Sequence, residues 1–253
     1  MTAVGLALCS AVLFGSLSVA LGFAMRRAPD AEAGALVTGL VAIAVCGAFA
    51  LADWEWSGAL WPFLLAGLIA PGASQILYVR GVKEAGPSRT AVVVGAAPLV
   101  SVTIALVVLD EPFRASLLAG ALLIVLGGIV LAGERVRPAS FRTIGLVLAF
   151  GSAVFFATRD NVVRGLAVDS DVPPQLAAEA TLVSGSALMA GYLLATRGPR
   201  LAPQLRHALV PFALSGLLWG LSYAALFEAF YRARVTVVSP LVATESLFGV
   251  LAA

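Results

Sequence analysis

The chain has 253 residues, 60% hydrophobic and only 12% charged, with 16 Lys and Arg against 14 Asp and Glu. No ordinary soluble domain of this length is so apolar, so composition reads as an all-α, polytopic membrane protein. The formal net charge of +2 is carried singly or in pairs between apolar spans. That spread leaves no basic patch for nucleic acid. One histidine and two cysteines leave no metal cluster, and no cofactor is expected.

The first apolar stretch, residues 4–25, lacks a basic leader and is longer than the core of a signal peptide, so it reads as a first transmembrane helix. Further spans follow at 33–52, 59–80, 88–109 and 115–133, then 143–165, 174–195, 209–231 and 235 onward, about nine in all. Turn signals separate them at Ala28-Pro29-Asp30, Gly86-Pro87-Ser88 and Gly198-Pro199-Arg200. Trp54, Trp56 and Trp61 read as an interfacial belt, and 133–142 as a linker. Cys9 and Cys46 read as small residues packed between helices. Pro71, Pro98 and Pro240 fall inside spans and are expected to break them, whereas Pro62 and Pro211 sit in first turns. Gly15, Gly22, Gly67, Gly72, Gly120, Gly127 and Gly216 are expected to let helices approach closely.

An internal match runs through these spans. The stretch GVKEAGPSRTAVVVGAAPLVSVTIA from Gly81 pairs without gaps with AFYRARVTVVSPLVATESLFGVLAA from Ala229, setting Pro98 on Ser246 and Ala97 on Glu245. Upstream, Trp61-Pro62-Phe63 answers Val210-Pro211-Phe212. The expected organisation is a five-helix repeat over 1–137 and a second, incomplete one over 138–253. An odd number of crossings per repeat inverts the second copy, the architecture of a transporter. Residues 235–253 read as an unfinished span, so the last helix of the second repeat is expected beyond Ala253. Arg26, Arg27, Arg80, Lys83, Arg89, Arg135, Arg137, Arg142, Arg197, Arg200 and Arg206 fall on one side, against Arg114, Arg164, Arg232 and Arg234 on the other. The richer side is expected in the cytoplasm, which places the N-terminus outside.

Ionisable residues inside spans are costly and point to function. The sixth span carries Arg159, Asp160 and Asn161 after Thr158; the seventh carries Glu179, the eighth Glu228 and the ninth Glu245. The first three places lie toward one face of the membrane, and only Glu245 lies near the middle. Plainer readings stand beside the functional ones. Asp160 and Arg164 are spaced for an i, i+4 pair, Arg159 can snorkel to the headgroups, and Glu179 can pair with Arg159. Glu228 reads as interfacial beside Tyr231 and Arg232. Glu245 has no basic neighbour in sequence and has the best claim as a proton carrier or cation ligand. Facing the cavity, Arg159 would receive a carboxylate or phosphate. Ser16 and Ser18, Gln75 and Tyr78, and Trp219, Ser222 and Tyr223 are further polar or aromatic candidates for an inward face. No nucleophile with a neighbouring base and no phosphate loop is present, so no catalytic residue is assigned.

The stretch Ala-Val-Leu-Phe-Gly-Ser at 11–16, Pro98, the run LDEPFRASLLAGALLIVLGGIVL from Leu109 and Thr244-Glu245-Ser246 together resemble the drug/metabolite transporter superfamily, of the ten-helix EamA type. In that family a Glu-Pro pair occupies the ninth helix; here Ser246 replaces the proline. The resemblance implies small-molecule transport by alternating access in the cytoplasmic membrane, through a pore formed by helices one, three, four, six, eight and nine. The expected partners are a small-molecule substrate, the lipid bilayer and a coupling proton. The rival reading is a lipid-carrier flippase or interfacial membrane enzyme using Arg159, Asp160 and Glu179.

Overall fold

The structure, a computed structural model, describes residues 1–51, 59–113, 115–131 and 142–252. The helices in chain order are α1 (Ala3–Arg27), α2 (Ala31–Ala50), α3 (Trp61–Gly67), α4 (Ser74–Ala85), α5 (Pro87–Val94), α6 (Ala97–Val108), α7 (Ala115–Leu131), α8 (Ile144–Asp169), α9 (Pro174–Arg197), α10 (Leu201–Arg232), α11 (Val235–Val242) and α12 (Glu245–Ala252). The described residues contain no strand. Among the described residues six helical segments are long and apolar enough to cross a membrane, with Pro174–Arg232 counted as one although it folds back at Gly198 (φ 55°). The chain is an all-helical, polytopic membrane protein. Trp54, Trp56, Arg114, Arg135, Arg137 and the linker over 133–141 lie outside the described residues.

Local chemistry sets the helix ends. The Thr2 hydroxyl accepts the Gly5 amide at 3.2 Å and the Asp30 carboxylate accepts the Ala33 amide at 3.1 Å, capping α1 and α2. Gly86, at φ 90°, turns the chain between α4 and α5, and Pro87 opens α5. α10 begins at Leu201 and not near residue 209, because the stretch after Gly198 continues as helix; Pro211 is therefore interior.

Three rods are interrupted. The third span leaves the helix at Ala70 (φ −146°, ψ 128°), just before Pro71, and resumes as α4. The α5–α6 rod breaks at Gly95–Ala96, ahead of Pro98, and the α11–α12 rod at Ala243–Thr244, shortly after Pro240. These last two breaks fall at paired positions of the internal sequence match: α5 and α11 each end after 8 residues, and Ala97 and Glu245 each restart the helix.

Small residues set the packing. α10 lies along α1 and α2, α9 along α2 and the broken third span, α8 along α4, α5 and α6, and α11 and α12 along α1. A Cβ on Gly185 would lie 2.6 Å from Pro71 Cγ and 2.9 Å from both the Gly67 carbonyl oxygen and the Gly72 nitrogen. One on Gly220 would lie 2.6 Å from Val45 Cβ, and one on Gly15 would lie 2.7 Å from the Glu245 carbonyl oxygen. Gly22, Gly120 and Gly127, expected at close approaches, have nothing within 4 Å of such a Cβ. Their backbone faces no neighbouring helix in this structure. Buried polar groups stitch the same seams: the Ser10 and Ser222 hydroxyls lie 2.8 Å apart, and the Cys46 thiol donates to the Gly220 carbonyl at 3.2 Å. Cys46 is buried as expected, while Cys9 is only partly so.

Each end of the bundle is tied by charges. At one end Arg197 of α9 binds Asp30 and Glu32, and Lys83 of α4 binds Glu32 at 2.6 Å. At the other, Arg232 pairs with Glu228, Gln175 donates to Glu228 at 3.0 Å, and Arg164 donates to the Phe230 carbonyl at 2.8 Å. Burial works against the Asp30 carboxylate, but its bonds to Arg197 outweigh that and hold it below its ordinary value of 3.8.

Two outcomes follow for thermal unfolding in detergent. Gly185→Val destabilises by about 1–3 kcal/mol through overpacking, whereas Gly22→Ala stays within about 0.5 kcal/mol; the opposite order contradicts the packing. Because the Asp30 value is depressed on folding, its stabilisation is complete above the unfolded value and is lost as pH falls through the lower folded one. Asp30→Asn therefore flattens the acid limb of melting temperature against pH; an unchanged limb rules out this pair as its source.

Candidate functional site

The intramembrane charges gather in the interior. α8 continues to Asp169, so Arg159 and Asp160 sit well inside the helix and not near its end. Arg159 is only 3% exposed and does not snorkel. Its guanidinium carbon lies 5.0 Å from the Tyr223 ring centroid and 5.7 Å from that of Phe227, so two aromatic faces replace part of its hydration. Its ion-pair partner is its neighbour Asp160, with Nε to Oδ1 at 3.0 Å. The approach is out of line for a hydrogen bond, and Arg159 Nε, Arg159 Nη1 and Asp160 Oδ1 all lack a hydrogen-bond partner.

Both plainer pairings fail for the same geometric reason. Arg164 is used by the Phe230 and Tyr231 carbonyls at the end of α10, so it does not pair with Asp160. Glu179 lies against Gly47 of α2, 3.4 Å from the position of a Cβ there, and its Oε2 has no partner; it does not pair with Arg159. Glu228 is bound by Arg232 and Gln175 at the bundle end, consistent with an interfacial residue.

Asn161, also 3% exposed, donates through Nδ2 to the Ser101 carbonyl at 3.0 Å, the Ser101 hydroxyl at 3.2 Å and the Ala157 carbonyl at 2.8 Å, while its Oδ1 is unpartnered. It therefore ties α8 to α6. Glu245 occupies the first turn of α12, at the break, where the positive end of a helix dipole faces a carboxylate. Its charge interacts with Asp160 and with the Tyr78 hydroxyl of α4.

Tyr223 is the hub. It meets Arg159 on one side, Trp219 edge-on at 5.5 Å and Phe14 edge-on at 6.2 Å, and its own hydroxyl has no hydrogen-bond partner. Gln75 and Trp219 line a narrow crevice of about 10 Å³ with Pro71, Gly185 and Ser186. Ser16 and Ser18 bond the Val12 and Phe14 carbonyls of their own helix at 2.9 and 3.2 Å, and Ser222 bonds Ser10, so these hydroxyls are already satisfied.

Sequence reasoning missed two groups. Phe227 was not singled out, although it follows Trp219 and Tyr223 at helical spacing on the same face. Glu111 is the other: its two oxygens accept the Val235 and Thr236 amides at 2.9 and 3.0 Å, capping α11 from across the bundle. It borders a pocket of about 380 Å³ lined by Asp110, Arg164, Asp169 and Arg234. The acidic turn was visible; its partner, far along the chain, was not. Among the described residues no group of three or more His, Cys, Asp or Glu is placed to hold a metal ion.

No curated protein matches the chain. Twelve chains of known structure do. One, described only as "Crystal structure of protein", superposes with a TM-score of 0.65 at 18% identity, covering 98% of this chain and 96% of that one. At that identity the likeness shows the fold alone. The EamA-like transporter family model matches residues 1–133, more than half of the 253. The match indicates a drug/metabolite transporter-type membrane protein, the apolar helices agree with a membrane protein, and the chain belongs to the EamA-like transporter family.

Proposed function

We propose that the chain is a secondary transporter that moves a small metabolite or drug across the cytoplasmic membrane by alternating access between two inverted repeats, 1–137 and 138–253. The observation that carries this reading is the interrupted pair α5–α6 and α11–α12, broken in register with the internal sequence match. Discontinuous helices near the middle of a bilayer free backbone and dipole ends to meet a substrate or ion. Here the second break carries Glu245, whose charge interacts with Asp160 and Tyr78, and Asp160 is the ion-pair partner of Arg159 under Tyr223. Substrate binds in this region, and Glu245 couples a proton or contacts a cationic group. Gln75, Trp219, Asn161 and Ser16 are the further residues assigned to substrate binding in this reading. In this reading the N-terminus lies outside, which the excess of Lys and Arg in the loops of one side supports.

The interior position of Arg159 and Asp160 favours transport over a lipid-handling or enzymatic reaction at the membrane interface. Glu245→Gln in the full-length protein, reconstituted in proteoliposomes, is expected to lower flux driven by a proton gradient to roughly a tenth or less and to remove its pH dependence. Unchanged flux with an unchanged pH profile takes Glu245 out of the mechanism.

A further inference from the structure

We propose that the substrate carries a compact anionic group which exchanges with Asp160 on the Arg159 guanidinium, Asp160 taking up one proton as it is displaced. This rests on the transport reading above and goes further, because it names a second proton-binding residue and a substrate class.

The ion pair is built to exchange. Arg159 and Asp160 are consecutive on one helix, so their side chains leave α8 about 100° apart. Their atoms reach 3.0 Å but do not align, and neither gains a hydrogen bond from the other. An external carboxylate or sulfonate is free of that restriction and can meet the guanidinium edge in plane through two parallel bonds. The edge has a donor to offer, since Nη1 is buried and unpartnered while Tyr223 and Phe227 cover the faces. Phe14, Trp219, Tyr223 and Phe227 suit an anion with an aromatic or apolar body.

Proton uptake follows from charge balance. Before exchange the guanidinium faces one carboxylate. An arriving anion without a proton would leave two negative charges on one positive charge in a site shielded from water, which is strongly unfavourable. With the proton on Asp160 the total charge is the same before and after: Arg159–Asp160, the anion and a proton become Arg159–anion and a neutral Asp160 carboxyl.

The titratable groups around Asp160 are Arg159 on its own helix, Tyr223 on α10 and Glu245 on α12, with Tyr78 on α4 beyond Glu245. Cys46 on α2 lies on the other side of Tyr223, with Glu179 of α9 next to it. The short helix α5, also packed on α8, carries Arg89. Arg80, Lys83 and Glu84 of α4 are taken by Tyr192, Glu32 and Arg142. The segments α3, 68–73, α6 and α11 contribute no ionisable side chain.

The test uses benzenesulfonate, whose own charge is constant near neutrality, with the full-length protein in detergent and binding read from tryptophan fluorescence. Wild-type affinity is expected to weaken by up to about tenfold per pH unit as pH rises. Asp160→Asn, and Asp160→Ser as a second variant, should bind with no such slope and at high pH more tightly than wild type. Arg159→Gln should lose binding. A slope that persists without Asp160, full affinity without Arg159, or no wild-type binding up to about 10 mM overturns the exchange. Flux separates the two readings. A protein with Glu245-dependent flux but pH-independent benzenesulfonate binding sinks the exchange alone. Asp160-dependent, pH-sensitive binding with no transport of any proton-driven kind sinks the transport reading alone.

Discussion

A guanidinium cannot be left bare inside a bilayer, and the interior of this bundle is arranged around that constraint. A guanidinium in a protein stays charged, so its cost has to be met by its neighbours. Instead the aromatic faces of Tyr223 and Phe227 and the neighbouring Asp160 supply the compensation. That arrangement requires α10 to turn one particular face toward α8. Gly216 and Gly220 set this rotation: their bare backbone seats against Val41, Ala42 and Val45 of α2, which carries the Trp219, Tyr223 and Phe227 face around to Arg159. The glycine seam and the charged site are thus one design, since a side chain on the seam would move the rings off the cation.

The same solvent logic governs the broken helices. A break in a membrane helix frees backbone groups that lipid cannot satisfy. Here short polar side chains do so. Ser74 donates back to the Pro71 carbonyl at 3.3 Å, and Ser152 of α8 donates to the Ser74 carbonyl at 2.9 Å. Asn161 reaches the Ser101 carbonyl of α6, and Thr244 bonds the Leu241 carbonyl at 2.6 Å beside the last break. Two of these four donors stand on α8. The helix that carries the buried cation is therefore also tied to two of the interrupted rods.

Much of this was legible in the chain. Apart from the start of α10, span positions came within about five residues because apolar length and turn residues are local properties; even the helix breaks were marked by Pro71, Pro98 and Pro240. The end of α8 was less legible. Polar residues over 158–161 look like the approach to an interface, yet the helix runs on to Asp169 and places them inside. Partners were not legible at all. Arg159 meets rings 64 and 68 residues away in sequence, and Glu111 caps a helix whose first residue is 124 away. Periodicity says which face a residue occupies on its own helix, not which helix comes to meet it. Neither the i, i+4 pair of Asp160 with Arg164 nor the cross-helix pair of Arg159 with Glu179 forms: Arg164 meets the end of α10, and Glu179 lies against α2.

Where the two interrupted rods differ is chemically pointed. Ala97 and Glu245 each restart a helix after a break at paired positions, so both occupy the same favourable setting for a negative charge, a free helix N-terminus. Only the second places a carboxylate there, and its charge interacts with Asp160. On the transport reading proposed above, this difference in charge between two positions paired by the internal sequence match lets the protonation and pairing of Glu245 and Asp160 contribute to which side of the membrane the site faces.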